Sequence, residues 1–334
     1  MTKHKNLSIF VPHAGCPNQC SFCDQRSISG TQNPPTAAEV AELCDKYLPQ
    51  ENGADYEIAF FGGSFTAIDR EYMISLLSAA YPFVEKGRTM GIRISTRPDC
   101  ISEEILGILK RYGVTSIELG AQSMQDEVLA MNMRGHTEED VAKASQLIKR
   151  QGFSLGLQMM TGLYGQKNYR EYALDTATKF VALQPDTVRI YPTVTLKNTL
   201  LEQKFMQGGY IPPTLSETVE ICAELMDVFE SSNIRIIKMG LHADTGLENK
   251  IVAGPYHPAF RELCISQRCL SRIKRQLTNK ENKGYIIRVN PKELSQWKGQ
   301  KNSNIHSLSS MGYNVQITAD DSVPKGEFTI DQLT

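Results

Sequence analysis

Short apolar segments alternate with helix-forming segments through the first two-thirds of the chain, and this alternation limits the fold more than any other feature. Each apolar segment has the length of a buried strand, and each helical segment carries apolar residues at helical spacing. The predicted strands are residues 7–11, 56–61, 91–96, 116–119, 153–160 and 187–191, and the predicted helices are residues 34–48, 72–84, 102–112, 138–151 and 169–183. Strands and helices that alternate at this period form parallel βα units, so we predict an α/β fold with a partial (β/α)6 barrel.

The pattern changes after about Pro213, where Gly and Pro interrupt the chain between a helix, a strand and a further long helix. A polar stretch at 279–284 then has the composition of a linker or turn. We therefore predict a barrel core at residues 1–241, a connecting helical segment at 242–283 and a small α+β module at 284–334.

Composition excludes several classes of protein. With 334 residues, of which 41% are hydrophobic, the chain is long enough to bury a large core, and its net charge of −1 is not that of a general polyanion binder. No stretch approaches the roughly 18 apolar residues of a membrane span, and the N-terminus has no signal-peptide core, so we expect a cytoplasmic protein without membrane contact. In that compartment the eight cysteines are expected to be thiols or metal ligands.

Three cysteines follow the first predicted strand at the spacing Cys-x3-Cys-x2-Cys, namely Cys16, Cys20 and Cys23. Three thiolates this close together can hold three corners of an iron–sulfur cube and leave the fourth iron open to an outside ligand. A fully ligated cluster would need a fourth cysteine nearby, and the next one is Cys44. A zinc site with His13 as the fourth ligand is the alternative, because structural zinc sites have four protein ligands.

Further polar and glycine-rich segments follow the later predicted strands. They are Gly62-Gly63-Ser64-Phe65-Thr66, Ser95-Thr96-Arg97-Pro98-Asp99, Gly120-Ala121-Gln122-Ser123 with Met133-Arg134-Gly135-His136-Thr137, and Arg189-Ile190-Tyr191-Pro192. In parallel α/β sheets, ligands bind at the carboxyl ends of the strands. These segments are therefore candidates for one shared site with the cysteine loop.

The cysteine spacing and these segments, in this order, resemble the radical S-adenosylmethionine (SAM) enzymes. Within that superfamily the chain is similar to the branch that contains the elongator catalytic subunit and oxygen-independent coproporphyrinogen oxidase, over about residues 7–241. The resemblance implies a [4Fe–4S] cluster on the three cysteines, whose open iron binds SAM and whose electron cleaves SAM to a 5′-deoxyadenosyl radical. It also implies an electron donor such as flavodoxin or ferredoxin.

The resemblance assigns several residues to SAM. Phe22 matches an aromatic position whose backbone lies against adenine. Gly62, Gly63 and Ser64 match the strand end whose backbone carbonyls accept hydrogen bonds from the SAM amino group, where a larger side chain at a glycine would block close approach. Ser95 stands in place of a glutamate and is a candidate for a ribose contact.

Four more polar residues complete the implied set. Arg97 would face a carboxylate or the substrate, and Gln122 would bond the ribose or methionine part of SAM. Arg134 would offer its fork of donors to the SAM carboxylate, a geometry that lysine does not provide. Gln158 stands where coproporphyrinogen oxidases carry aspartate, so that ribose contact is altered here.

Three features have two interpretations each. Tyr191 is the candidate for substrate contact or for a proton or electron relay, and a core tyrosine is the alternative. His136 is either a catalytic residue or a packing residue ahead of a helix cap at Thr137. Cys264 and Cys269 are expected to be structural thiols, because two thiolates are too few for a second cluster.

The predicted C-terminal module runs strand, helix, tight loop, helix, strand. This order resembles a KH-type RNA-binding module, whose Gly-x-x-Gly loop clamps the nucleic-acid backbone. The last position is Asn302 instead of glycine, which suits a positive φ. The implied RNA-binding residues are Lys298, Gly299, Gln300, Lys301 and Asn302.

A basic strip accompanies this loop. Between Arg272 and Lys301 there are nine Lys or Arg against two Glu, a local excess of +7. Such an excess on a neutral chain is typical of phosphate contact. The alternative is a solvated helix face on a small capping domain.

We therefore predict a radical SAM transferase that modifies RNA, either tRNA or rRNA. The elongator relative carries an acetyltransferase domain after its radical domain, and the 65 residues at 270–334 are too few for one, so we do not expect acetyl-CoA chemistry to transfer. One alternative is a radical SAM enzyme that acts on a small molecule such as a tetrapyrrole precursor. Another is a non-catalytic RNA-binding or zinc protein, which would be colourless.

Overall fold

The computed structural model describes residues 4–12, 19–23, 33–241, 245–278 and 284–333. The strands are β1 (Lys5–Val11), β2 (Tyr56–Gly62), β3 (Ile92–Thr96), β4 (Val114–Gln122), β5 (Ser154–Thr161), β6 (Thr187–Pro192), β7 (Thr195–Leu196), β8 (Arg235–Met239), β9 (Ile251–Ala253), β10 (Gly284–Val289), β11 (Asn314–Ala319) and β12 (Phe328–Gln332).

The helices are α1 (Ala37–Tyr47), α2 (Arg70–Glu85), α3 (Glu103–Arg111), α4 (Asp126–Met131), α5 (Glu138–Arg150), α6 (Tyr169–Leu183), α7 (Leu200–Met206), α8 (Leu215–Ser231), α9 (Thr245–Glu248), α10 (Phe260–Leu277), α11 (Leu294–Lys298) and α12 (Ser303–Ser310). Several begin where the sequence supplies a cap; Thr137 and Asp140, for instance, form a capping box at α5. Within the described ranges, no helix combines the length and apolar character that a membrane span requires.

Seven strands form one sheet in the order β1-β2-β3-β4-β5-β6-β8. Every neighbouring pair is parallel, as expected when a helix connects each strand to the next. This half-barrel confirms the predicted partial barrel. The sequence predicts six βα units and, after the change of pattern, a further helix and strand; the structure places that strand, β8, beside β6 as the seventh of the sheet.

The two faces of the sheet differ in chemistry. Ile94 in β3 and Ile117 and Leu119 in β4 are fully buried, which is expected for the face that the helices cover. Successive side chains of a strand point to opposite faces, so the residues between them, such as Arg93 and Glu118, lie on the inner face of the half-barrel. That inner face is polar although it is largely buried.

Residues 214–227 and 256–334 form a second compact unit, apart from the first at 1–213 and 228–255. Its three-stranded sheet has the order β11-β10-β12, with β10 parallel to β11 and antiparallel to β12. Trp297 and Leu308 are buried in its core together with Ile273 and Leu277 of α10. Helix α10, predicted as part of a connecting segment, therefore belongs to this unit, which begins before the predicted boundary at residue 284.

Candidate functional site

The described part of the cysteine loop follows β1. Cys20 is buried and Cys23 is half-buried; neither forms a disulfide with another described cysteine, and the Cys23 amide donates to the Cys20 carbonyl at 3.1 Å. Phe22, between them, is half-buried in a turn. Cys16 and the alternative zinc ligand His13 lie outside the described residues. Two of the three predicted cluster ligands are thus placed at the carboxyl end of the sheet.

Ser21 fixes this loop. Its amide donates to the Asn132 carbonyl at 3.2 Å, its hydroxyl donates to Asn132 Oδ1 at 2.6 Å, and its carbonyl accepts from the Leu201 amide at 2.8 Å. The side-chain amide nitrogen of Asn132, Nδ2, in turn donates to the carbonyls of Val128 and Tyr164, each at 2.8 Å. Ser21 and Asn132 have no exposed surface. Sequence analysis missed this contact because the two residues are 111 positions apart.

Arg134 reaches the cysteine loop from the segment that follows α4. Its Nη1 donates to Cys20 Sγ at 3.0 Å and its Nη2 donates to the Gly120 carbonyl at 2.5 Å. Its Nε is buried and has no hydrogen-bond partner among the described residues. The guanidinium predicted to bind SAM therefore contacts a predicted cluster ligand through Nη1, and its Nε–H stays available.

The glycine-rich end of β2 packs closely against β1. Gly62 has φ 122°, and a Cβ at this position would lie 2.5 Å from the Val11 carbonyl oxygen. The Gly63 amide donates to the same carbonyl at 3.2 Å. Glycine at position 62 is thus required by both backbone conformation and close approach.

Ser64 is already engaged within the protein. Its hydroxyl is 2.8 Å from Thr96 Oγ1 and accepts from the Arg97 amide at 3.1 Å. The Arg97 guanidinium forms a two-contact ion pair with Asp99, at 2.9 and 2.8 Å. Arg97, predicted to face a carboxylate or the substrate, is thus paired with the carboxylate of Asp99 in the same chain.

Two residues at neighbouring strand ends carry buried polar atoms that find no partner within the described part of the chain, Ser95 Oγ in β3 and Gln122 Oε1 in β4. Gln122 also has a left-handed backbone, with φ 68°. Buried polar groups are normally hydrogen-bonded, so these atoms, with Arg134 Nε, mark a place where a polar ligand would complete the structure. The three were predicted to contact SAM, and the donor and acceptor set suits its ribose and carboxylate groups.

A buried ion-pair network lies below these strand ends. Arg93 contacts Glu57 at 2.6 Å and Glu118 at 2.8 Å, and Arg189 contacts Glu118 at 2.6 Å. Burial alone would raise the pKa of Glu118, but Arg189 and Arg93 hold it below its usual value. The side-chain amide of Gln158 donates to the Glu118 carboxylate at 3.0 Å. Gln158, which was predicted to contact SAM, is therefore engaged in this network.

Tyr191 and His136 lie at the edge of this arrangement. Tyr191 is the penultimate residue of β6, two residues after Arg189, and is half-buried; desolvation raises the pKa of its hydroxyl. His136 is buried, and its Nε2 lies 3.1 Å from the Ala121 carbonyl. Burial, aided by Arg134, lowers the pKa of His136 to about 4, so its ring is neutral at pH 7.

The donor set fits an iron–sulfur cluster with SAM beside it. Cys20 and Cys23 provide thiols, Gly62 allows close backbone approach, and the unpartnered atoms of Ser95, Gln122 and Arg134 lie at the carboxyl ends of β3 and β4 or on the segment that follows. From sequence, the only sign of the ion network is a charged residue within each of four apolar strands, namely Glu57, Arg93, Glu118 and Arg189; nothing local shows which of them pair.

Comparison with known proteins identifies the family to which the chain is similar. The profile described as Radical SAM superfamily matches residues 10–176, and the Radical_SAM C-terminal domain profile matches residues 185–270. A tRNA uridine(34) acetyltransferase from Methanocaldococcus infernus is 34% identical over 260 residues, which cover 64% of this chain and 48% of that protein. Elongator complex protein 3 from Bos taurus is 30% identical over 252 residues, 66% of this chain and 45% of that protein.

A solved structure, the archaeal M. infernus Elp3 with an N-terminal deletion, covers 85% of this chain and 66% of its own, with TM-score 0.63 and 22% identity. The chain spans about half the length of the two curated relatives. These findings confirm the predicted superfamily and its elongator branch; they do not extend to a KH module. The chain belongs to the radical SAM superfamily and is a radical SAM enzyme with SAM and a [4Fe–4S] cluster as its cofactors.

Proposed function

We propose that this chain modifies tRNA by radical SAM chemistry. The observation that carries the proposal is the similarity to the M. infernus protein named tRNA uridine(34) acetyltransferase, at 34% identity over 260 residues. The superfamily profile matches residues 10–176, the part of the half-barrel that carries the site. The acetyl group in that name is not part of the proposal; the proposed reaction is the radical step on tRNA.

Cys16, Cys20 and Cys23 are the proposed ligands of the cluster. When bound, the cluster supplies an electron to SAM, delivered from a donor such as flavodoxin or ferredoxin. The protein holds the loop in place through Ser21 and Asn132, whose hydrogen bonds are fully shielded from water. Shielding of this kind also protects a reactive site from side reactions with solvent.

Ser95, Gln122 and Arg134 are the proposed SAM contacts. Each has a buried polar atom that finds no partner among the described residues, and SAM carries matching hydroxyl, amino and carboxylate groups. Arg134 Nε would donate to the carboxylate. Gly62, Gly63 and Ser64 would contribute backbone carbonyls. The proposed contact of Ser64 is through its carbonyl because its hydroxyl is engaged with Thr96 and Arg97.

Arg97, Gln158 and Phe22 have narrower proposed roles. Arg97 orders the β3 end through Asp99, and Gln158 supports Glu118 from β5. The Phe22 backbone would face adenine. Tyr191 is the proposed substrate-side residue, because it lies at a strand end directly beyond the ion network.

The loop at residues 299–302 is the proposed RNA contact in the second unit. Gly299, Lys301 and Asn302 have φ of 75°, 51° and 61°, so the position predicted to need a positive φ at Asn302 has one. Gln300, Lys301 and Asn302 are exposed. Asn304, buried just behind, donates to the carbonyls of Trp297 and Ser266 at 2.9 and 3.0 Å and anchors the loop. An exposed, anchored loop suits phosphate contact.

Only part of the basic strip is available for this contact. The Arg272 guanidinium lies over the rings of Trp297 and Phe328 and donates to the Gly326 carbonyl, and Arg288 pairs with Asp331. Within the described ranges, Lys292, Lys298 and Lys301 form no ion pair with a carboxylate. These three lysines are therefore the proposed phosphate contacts in this strip.

The direct experiment compares modified nucleosides in cells. Purified tRNA from a deletion strain is digested and analysed by mass spectrometry after complementation with wild type, Cys20→Ala or Cys44→Ala. The proposal predicts one nucleoside that wild type and Cys44→Ala restore and Cys20→Ala does not. Identical tRNA nucleosides in the deletion and complemented strains would reject tRNA as the substrate, whereas a difference confined to small metabolites would favour the tetrapyrrole-type alternative.

A further inference from the structure

Arg134 is held at Cys20 by the fold on both sides of the contact. The Arg134 amide donates to the Leu129 carbonyl at 3.0 Å, and its side chain is 7% exposed. On the other side, Ser21 is bound through backbone and side chain to Asn132, two residues before Arg134. The 3.0 Å contact from Nη1 to Cys20 Sγ therefore joins two segments that are fixed to each other.

The charge of Arg134 is not neutralised by the residues that the structure describes. Its two contacts are a sulfur and a backbone carbonyl, and neither is a carboxylate. The nearby Arg97, in contrast, is paired with Asp99. A cation in a buried environment interacts more strongly with a neighbouring charge than it would in water.

We propose that Arg134 tunes the iron–sulfur cluster directly, by hydrogen-bonding the ligand sulfur of Cys20 before SAM is bound. This inference rests on the proposed ligation of the cluster by Cys20. A reduced cluster carries one more negative charge than its oxidised form, and hydrogen bonds to its sulfurs raise the reduction potential. Arg134 is thus a positioning residue for the cluster, in addition to its proposed contact with SAM through Nε.

The guanidinium geometry makes this double role possible. Nη1 donates to the sulfur and Nη2 to the Gly120 carbonyl, while the Nε–H has no partner among the described residues. Lysine would keep the charge but has no planar fork, so it cannot hold the sulfur and the Gly120 carbonyl in the same fixed geometry.

The test is a potentiometric titration of the SAM-free cluster, followed by electron paramagnetic resonance (EPR), in wild type, Arg134→Lys and Arg134→Gln. We expect the reduction potential to fall in Arg134→Lys and to fall further in Arg134→Gln. Arg70→Gln is the control, because Arg70 is an exposed cation paired with Glu104, and its potential should match wild type. A role of Arg134 in SAM binding alone predicts the wild-type potential in every variant that holds a full cluster, and that result would overturn the inference.

A second measurement takes its decisive result from wild type, so it holds even if the variants fail to bind a cluster. Wild type labelled with 15N-arginine and reduced without SAM should show a weak 15N coupling to the cluster by pulsed EPR, and the coupling should be lost in labelled Arg134→Lys. No coupling in wild type would overturn the inference. Wild type that binds no cluster at all would instead reject the proposed ligation on which the inference rests.

Discussion

Arg93 and Glu118 form an ion pair of 2.8 Å across β3 and β4, and their side chains are only 8% and 1% exposed. Glu118 also accepts from Arg189, and Arg93 also pairs with Glu57, so carboxylates on β2 and β4 alternate with guanidiniums on β3 and β6. The four side chains are at most 11% exposed, so these ions are compensated mainly by one another. Removing one member therefore leaves its partners buried and unpaired.

Glu118→Gln is expected to lower the free energy of unfolding by about 3–5 kcal/mol, because Arg93 and Arg189 lose their shared carboxylate. Glu104→Gln provides the matched control: Glu104 also pairs with an arginine, at 2.6 Å, but its side chain is 73% exposed. That exposed pair should contribute less than about 1 kcal/mol. Denaturant unfolding of both variants measures the difference, and equal losses in the two would contradict a buried network.

His136 should make stability depend on pH. The pKa of its ring falls from 6.5 to about 4 on folding, so between these values the unfolded chain binds a proton that the folded chain does not. Stability should therefore decline as the pH drops from 6.5 toward 4, by on the order of 3 kcal/mol in total.

His136→Gln should remove this part of the pH dependence, measured as the change in unfolding free energy between pH 7 and pH 5. The exposed His306→Gln is the control and should keep the wild-type slope. A wild-type slope in His136→Gln would show that other groups account for the effect.

Ser95→Ala should weaken SAM binding with little effect on stability, since the Ser95 hydroxyl has no partner in the described structure. The loss of one hydrogen bond corresponds to about a fivefold to tenfold rise in Kd. Ser116→Ala is the matched control, because Ser116 also carries a buried hydroxyl without a partner but is in register with Arg93, deeper in the half-barrel. Equilibrium dialysis with labelled SAM distinguishes them, and an equal Kd for both variants would argue against the Ser95 assignment.

Lys298→Glu combined with Lys301→Glu should weaken tRNA binding at least about tenfold at low salt and reduce the dependence of log Kd on log salt concentration. SAM cleavage without tRNA should be unchanged. The control is Lys46→Glu combined with Lys143→Glu, which makes the same change in net charge on exposed helix positions of the first unit. The RNA-contact proposal is wrong if the two double variants bind tRNA with equal affinity across a salt titration.

The sequence predicts the half-barrel well, because an inner and an outer strand face and a regular βα period are local signals. Helix α6 is predicted with its observed bounds. Helix α4, with six residues, and strand β12, whose side chains are mostly exposed, carry too little apolar periodicity to be recognised. Their positions depend on tertiary contacts instead.

Residues at strand ends, such as Ser95 and Gln122, could be placed near one another from sequence because all strands of a parallel sheet end on the same side; their contacts with SAM stay predictions from the family resemblance. The contact of Arg134 with Cys20 could not, since the residues are 114 positions apart and no local pattern links them. The engagement of Gln158 by Glu118 depends likewise on the register between β4 and β5.

The chemistry proposed for this chain requires a [4Fe–4S] cluster on Cys16, Cys20 and Cys23 that leaves one iron open for SAM. The decisive experiment records the EPR spectrum of the anaerobically reconstituted, reduced protein with and without SAM, alongside iron analysis. We expect four irons per chain in wild type and a spectrum that changes when SAM is added. A full cluster whose spectrum is the same with and without saturating SAM would contradict it.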